Sequence, residues 1–312
     1  MGDRLRVAVL AGGWSREREV SLKSGRAVFG ALNRDQYEVD WFDPRDDLKR
    51  LMDRRAEIDM AFILLHGRLG EDGRMQGMLD ILNIPFVGSG VLSSATAIHK
   101  ERSKGIFRTK GLNVAKEVIL RRGEARGVAE IMATLGTPVV VKPVSEGSSI
   151  GMCISAVKEE IEKGIQRAFE FSSRVMVEEY IAGREVTCCV LGNSRLEVLP
   201  VVEIRPDKRH VFFDYAAKYT PGATEEICPA PISEGLRREV ERAGKAAHRA
   251  LGCAVWSRTD MIVRDDRIFV LETNTIPGMT ETSLFPLAAR GAGWSFSELL
   301  DRLITLSLEK EG

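Results

Sequence analysis

Arg258, Asp260, Glu272 and Asn274 fall at the ends of two neighbouring apolar-rich runs near the C-terminus. The runs are joined by a polar turn, Arg264 to Arg267, so the segment reads as a β-hairpin. A hairpin of this kind could bring Asp260, Glu272 and Asn274 together on one face. Two carboxylates and an amide are hard oxygen donors of the kind Mg²⁺ favours, and Mg²⁺ commonly completes its shell with substrate phosphates. Arg258, two residues before the first carboxylate, adds a cation where phosphoryl charge would gather. The chemistry to look for elsewhere in the chain is therefore that of ATP and Mg²⁺.

Lys142 ends a valine-rich run and is followed by Ser145-Glu-Gly-Ser-Ser-Ile-Gly151. Small residues let backbone N–H groups approach phosphates, Ser148 and Ser149 add hydroxyls, and Lys142 supplies a point charge. A hairpin tip beside a surface lysine is the ordinary alternative, and the Walker-type phosphate loop is absent. Glu178-Glu-Tyr-Ile181 could read an adenine through backbone groups, with Glu185 on ribose hydroxyls; a polar linker is the plainer reading. Lys100 and Lys104 share a helix face at i,i+4, where lysines are usually solvated. Pro277-Gly278 enforces a turn that could aim the Gly278 N–H at an oxyanion. Ser283 could cap a helix whose N-terminus receives a carboxylate. Glu17 suits a helix N-terminus, or a substrate ammonium if its loop and the Ser148 loop share a cleft. His99 reads as structural, and His210 and His248 as incidental.

These residues need a scaffold, and the periodicity predicts one. Strands are expected at 6–11, 39–42, 60–65 and 84–87, alternating with helices at about 16–32 (capped by Ser15), 47–56 and 75–82, which points to a parallel α/β unit. A second unit has helices at roughly 91–110 and 123–135 around a short linker, then strands at 138–142 and 174–178. A third has strands at 185–191 and 196–204, a polar loop at 209–224, a helix at 234–251, the hairpin, a loop and a terminal helix near 297–308.

The 312 residues suit two or three domains. Lys+Arg and Asp+Glu both number 45, so no overall basic field draws nucleic acid or a membrane surface. No apolar run has the length of a membrane span. The five cysteines make no C-x-x-C pair and read as free thiols in a reducing cytoplasm, with a zinc site disfavoured.

Five blocks occur in a telling order: 12–22 (GGWSREREVSL), 66–73 (HGRLGEDG), 142–151 (KPVSEGSSIG), 214–219 (DYAAKY) and 272–280 (ETNTIPGMT). Together they resemble the D-alanine–D-alanine ligases of the ATP-grasp superfamily over nearly the whole chain. The resemblance implies an α/β, three-domain ATP-grasp fold: a Rossmann-like unit (1–95), a central unit (96–183) and a C-terminal unit (184–312), the last two sandwiching ATP under a 209–224 lid. It implies that ATP is held by Lys100, Lys142, Glu178, Ile181, Glu185 and Lys218, and two Mg²⁺ (or Mn²⁺) by Asp260, Glu272 and Asn274. Glu17 would orient the first D-alanine's ammonium and join Ser148 and Tyr219 in a hydrogen-bonded set. His66 would belong to the substrate site, Arg258 and Gly278 would stabilise the oxyanion, and Ser283, Leu284 and Lys218 would receive the second D-alanine's carboxylate.

The implied reaction is ATP-dependent ligation of two D-alanines through a D-alanyl phosphate, for peptidoglycan precursors, by a cytoplasmic homodimer. Tyr219 accompanies a D-alanine acceptor, where depsipeptide-forming relatives carry phenylalanine. One departure is His99, where the family usually has an acid before the lysine. The competing readings are a ligase for another amino or hydroxy acid, and a non-catalytic nucleotide sensor.

Overall fold

The structure is a computed structural model that describes residues 4–124, 126–147, 150–206 and 224–309. Three sheets carry the architecture. The first contains β1 (Leu5–Leu10), β2 (Tyr37–Phe42), β3 (Met60–Ile63) and β4 (Phe86–Val87), all parallel, in the order β2-β1-β3-β4. Helices α1 (Arg18–Ala31), α2 (Pro44–Asp53) and α3 (Arg74–Ile81) make the connections. Strand order reverses between β1 and β3, so the loops leaving these two strands open onto the crevice where parallel sheets bind ligands. The 12–22 and 66–73 blocks begin there.

The central sheet is antiparallel, β5 (Glu117–Arg121), β8 (Arg174–Glu179), β6 (Val139–Pro143), β7 (Cys153–Ser155), in that spatial order. Helices α6 (Val128–Leu135) and α7 (Lys158–Phe169) cover one face through Ile131, Leu135, Ile161 and Ile165 packed on Val139, Val141 and Val177. The other face keeps Lys142, Glu178 and Glu117. The third sheet runs β12 (Thr224–Ile227), β11 (Val202–Pro206), β9 (Arg184–Gly192), β13 (Trp256–Arg264), β14 (Arg267–Asn274), with β10 (Leu196–Val198) beside β9.

Helices α4 (Val91–Ile98), α5 (Lys100–Thr109) and α8 (Glu234–Ala250) back this third sheet, Ala97, Phe107 and Val240 meeting Val186, Cys188 and Met261. The C-terminal helices α9 (Leu284–Gly291) and α10 (Phe296–Leu308) share a core with the first sheet, Leu300 and Leu303 clustering with Val7, Val9 and Phe62.

Several elements differ from the sequence reading. The expected 91–110 helix breaks at His99, whose extended backbone caps α5 and whose ring Nδ1 accepts the Arg102 N–H at 3.4 Å. Strand 196–204 splits around Pro200, which cannot donate to a ladder. The α1 cap position belongs to Glu17; Ser15 sits two residues earlier, accepting the Glu17 N–H at 3.1 Å. Strands β5 and β7 and helix α7 were not anticipated, while α9 begins at the helix start suggested for Ser283, inside a stretch otherwise read as a loop. Helix α6 begins later than position 123, after Gly127.

Candidate active site

The cavity between the central and third sheets encloses about 510 Å³. Ile154 and Met152 of the β6–β7 hairpin form one apolar wall, Ile262 and Leu271 of the β13–β14 hairpin the other. Lys100, Lys142, Glu178, Ile181, Glu185, Asp260 and Glu272 also line it, so five of the expected nucleotide residues and two of the expected metal ligands share one space.

Register explains the acid cluster. Asp260 pairs directly with Glu272, and Arg258 with Asn274, two residues along. Side chains alternate across a strand, so all four project from one face while Thr259, Met261 and Val263 turn to the other. Asp260 is fully engaged: Thr187 Oγ1 donates to Oδ1 at 2.6 Å, Arg258 donates to both oxygens at 2.9 and 2.7 Å, and Asn274 Nδ2 donates to Oδ2 at 3.1 Å. Lys100 Nζ lies 3.0 Å from Glu272 Oε2 and donates to the Glu146 carbonyl at 2.7 Å. Both carboxylates thus face cations.

Burial works most strongly against the charge on Lys100, but Glu272, joined by Glu178 and Glu71, outweighs it and holds the ammonium above its ordinary value. The same competition at Arg258, burial against Asp260, also ends in favour of the cation. Lys142 differs. Burial pushes its pKa down, and Lys104 and Lys100 push the same way against Glu178, 2.5 Å from its Nζ. An incoming anion would relieve that deficit, as a phosphate does.

The donor set suits a hard divalent cation. Among the described residues no group of three or more His, Cys, Asp or Glu gathers as a metal cage. Two carboxylates and an amide with a phosphate-sized cavity in front match the pattern of Mg²⁺ held jointly by protein and nucleotide. Arg258 and Lys100 set positive charge against the same carboxylate oxygens.

A second locus lies at the crevice of the first sheet. Glu17 is buried, 5% exposed. A Cβ on either Gly67 or Gly147 would lie 2.7 Å from its Oε2, so the 66–73 block and the glycine-rich 145–151 loop close on one carboxylate. Glu71 is beside it, accepting the Gly67 N–H at 2.7 Å; burial, then Glu17, pushes its pKa up to about 8. His66 is buried, its Nε2 3.3 Å from Ser24 Oγ, and burial followed by Arg258 pushes it down to about 4, so the ring is neutral. Ser24 also accepts the Met279 N–H at 3.3 Å, tying this locus to the turn that holds Gly278. A Cβ on Gly278 would meet Ser283 Oγ at 2.9 Å. Ser283 caps α9 by position, while its hydroxyl accepts from Thr280 N at 3.0 Å. Leu284, the first residue of α9, is buried.

Ser148, Ser149, His210, Lys218, Tyr219 and the loop to position 223 lie outside the described residues. Lys104 corrects the expectation of a solvated lysine: it is among the largest fully buried side chains. His248 likewise has a partner, Ser257 Oγ at 2.8 Å from Nδ1. Glu71, Ser24 and Thr187 were missed. Thr187 was legible as the residue two along from Glu185, and Glu71 lay inside the 66–73 block; Ser24 carries no sequence signal of its contact.

The N-terminal part, residues 44–89, matches the family described as D-ala D-ala ligase N-terminus, and residues 106–305 match D-ala D-ala ligase C-terminus. A D-alanine--D-alanine ligase from Syntrophobacter fumaroxidans is 51% identical over 98% of this chain and 99% of its own length. The chain belongs to the D-alanine–D-alanine ligase family. A second D-alanine--D-alanine ligase of that family, from Desulfotalea psychrophila, is 49% identical over 99% of this chain and 96% of its own length. The solved structure of the Bacillus anthracis D-alanine--D-alanine ligase complexed with ATP is 35% identical, covers 98% of each chain and superposes with a TM-score of 0.86. The VanG D-Ala:D-Ser ligase from Enterococcus faecalis is 34% identical, with a TM-score of 0.85 over 98% of this chain and 100% of that one. The fold is thus that of the ATP-grasp ligases.

Proposed function

We propose that this chain joins two D-alanine molecules into D-alanyl-D-alanine, converting ATP to ADP and phosphate, in the synthesis of peptidoglycan precursors. The observation that carries this reading is the single cavity in which Lys100, Lys142, Asp260 and Glu272 converge, in a chain of this family. ATP lies between the central and third sheets, its base against Ile181 and the strand end at Glu178, its ribose at Glu185, its phosphates at Lys142 and Lys100. Asp260, Glu272 and Asn274 would hold two Mg²⁺ or Mn²⁺, which would supply neutralisation of phosphate charge.

Glu17 holds the first substrate's ammonium, with Ser148 and Tyr219 in its hydrogen-bonded set and His66 behind it. A carboxylate oxygen of that D-alanine bonds to the γ-phosphorus and the bond to ADP breaks, giving an acyl phosphate. Lys142, Lys100 and Arg258 offset the charge of the group in transfer. Ser283, Leu284 N–H and Lys218 hold the carboxylate of the second D-alanine. Its amine, having lost a proton, bonds to the acyl carbon; Arg258 and the Gly278 N–H stabilise the oxyanion; phosphate leaves and the peptide bond remains. The 209–224 loop serves as the lid that keeps water from the acyl phosphate. The units 1–95, 96–183 and 184–312 act as the three bodies around this site. The enzyme works as a cytoplasmic homodimer.

The test is incubation with ATP, Mg²⁺ and D-alanine, with D-serine and D-lactate in parallel, followed by mass analysis. D-alanyl-D-alanine with equimolar ADP is expected. ATP consumption indifferent to D-alanine would refute the reading, and a mixed product as the main species would reassign the acceptor.

A further inference from the structure

Lys104 takes no part in the scheme above, yet it is the most deeply buried charge near the cavity. Its side chain is 1% exposed, its Nζ pairs with Glu178 Oε1, and Glu117 Oε2 lies 3.4 Å away. The other oxygen of Glu178, Oε2, takes Lys142 Nζ at 2.5 Å. Glu117 and Glu178 are direct cross-strand partners on β5 and β8, and Lys142 stands one pair diagonally along on β6. Two carboxylates directly opposite on a sheet repel, and Lys104 enters from α5 to bridge them. Arg108, one turn further along α5, takes Glu117 from the solvent side. Helix α5 is itself fixed to the third sheet through Phe107.

We infer that Lys104 is a positioning residue for nucleotide binding: it fixes Glu178 so that Glu178 holds Lys142 toward the cavity and yet can release it to a phosphate. This rests on the nucleotide reading of the cavity. The physical argument concerns what remains when Lys142 turns to an incoming anion. Without Lys104, Glu178 would be left as a buried carboxylate with no directly paired cation, a state that is strongly disfavoured. With Lys104 in place, Glu178 keeps a charge partner and Lys142 can be drawn away cheaply. Glu178 is only 3% exposed, so water cannot take over that role. Consistently, burial works against ionisation of Glu178, but Lys142 and then Lys104 outweigh it and keep the acid charged.

The test measures ATP binding by titration calorimetry, and steady-state kinetics, on the full chain. Lys104→Met is expected to weaken ATP binding and raise the KM for ATP by about ten- to hundredfold, the range seen when a group orienting a ligand-binding side chain is lost. The KM for D-alanine and kcat at saturating ATP should move little, and Lys104→Arg should restore most of the ATP affinity. A merely structural lysine would impair kcat and the handling of both substrates together, or lower only the melting temperature. In the Glu178→Gln background, Lys104→Met should add nothing, because it acts through Glu178. That comparison also serves if Lys104→Met alone does not fold, since removing both charges leaves no stranded carboxylate on β8. Wild-type ATP affinity in Lys104→Met, or a further loss of about tenfold in the double variant, would overturn the inference. A wild-type protein that binds no ATP would overturn the nucleotide reading, and this inference with it.

Discussion

Replacing Gly67 by alanine asks whether Glu17 must sit where the fold holds it. Gly67 has φ +69°, and a Cβ there would lie 2.7 Å from Glu17 Oε2 and 3.3 Å from Ser15 Cβ. The left-handed backbone alone costs a residue with a Cβ roughly 1–2 kcal/mol. Ordinary contact begins near 3.5 Å, so the carboxylate must retreat by roughly 0.8 Å, or the loop must shift by as much. A misplacement on the order of 1 Å in a group that orients substrate can cost on the order of a hundredfold in rate.

We therefore expect kcat/KM for D-alanine to fall roughly 10- to 100-fold, equivalent to about 1.4–2.7 kcal/mol of barrier. The KM for ATP should stay near its wild-type value, because Gly67 does not line the nucleotide cavity. The assay is ADP release with D-alanine varied at saturating ATP and then the reverse. A melting curve separates the strain from the displacement: strain lowers the melting temperature by about 2–4 °C per kcal/mol whatever the substrate. Unchanged D-alanine kinetics, or equal losses for both substrates, would refute the assignment of Glu17 to the amino-acid site.

Three further outcomes are expected. Glu272→Gln should reduce D-alanine-dependent phosphate release by on the order of a hundredfold or more; retained release at wild-type rates would end the metal assignment, as would activity indifferent to a chelator. The raised pKa of Glu71 carries a sign. Its folded-state value, up to about 8, lies above the ordinary 4.5, so the folded protein holds an extra proton between those pH values. Stability from this group is full below about 4.5 and declines as pH rises through about 8. Glu71→Gln should flatten the melting temperature between pH 5 and 8 in calorimetry, and parallel profiles for the two proteins would sink the account. Gly30, inside α1 with open space where a Cβ would stand, should accept alanine with a gain of roughly 0.5–1 kcal/mol by urea titration; a loss would contradict the local geometry.

How much of this is legible in the sequence differs by element. The parallel order of the first unit followed from alternating apolar runs and helix periods, because strands buried on both faces leave continuous hydrophobic stretches such as Met60–Ile63. The β13–β14 hairpin followed from its polar turn, where Asp265 and Asp266 adopt φ of +50° and +58°. Its two-residue alternation was enough to nominate Asp260, Glu272 and Asn274. Some elements were not read from the sequence. Helix α7, Lys158–Phe169, is charged at half of its positions, and its buried stripe of Ile161, Gly164, Ile165 and Ala168 holds only two large apolar residues. The three-residue strand β7 is too short to show alternation.

The sequence alone determined the chemistry on offer: hard oxygen donors on one hairpin, lysines and a glycine-rich loop for phosphate, a glutamate at a helix start. These are properties of residue type and near-neighbour spacing, which the covalent chain carries directly. Only the tertiary structure decided which charges meet. Lys104 and Glu178 are 74 residues apart, Ser24 and the Met279 N–H 255 apart, and Gly147 reaches Glu17 from a different sheet. A lysine on a helix face reads as solvated until a sheet edge with two facing carboxylates is packed over it. Whether such a charge is tolerated depends on the dielectric and the partners around it, and both are set by long-range packing that no local pattern encodes.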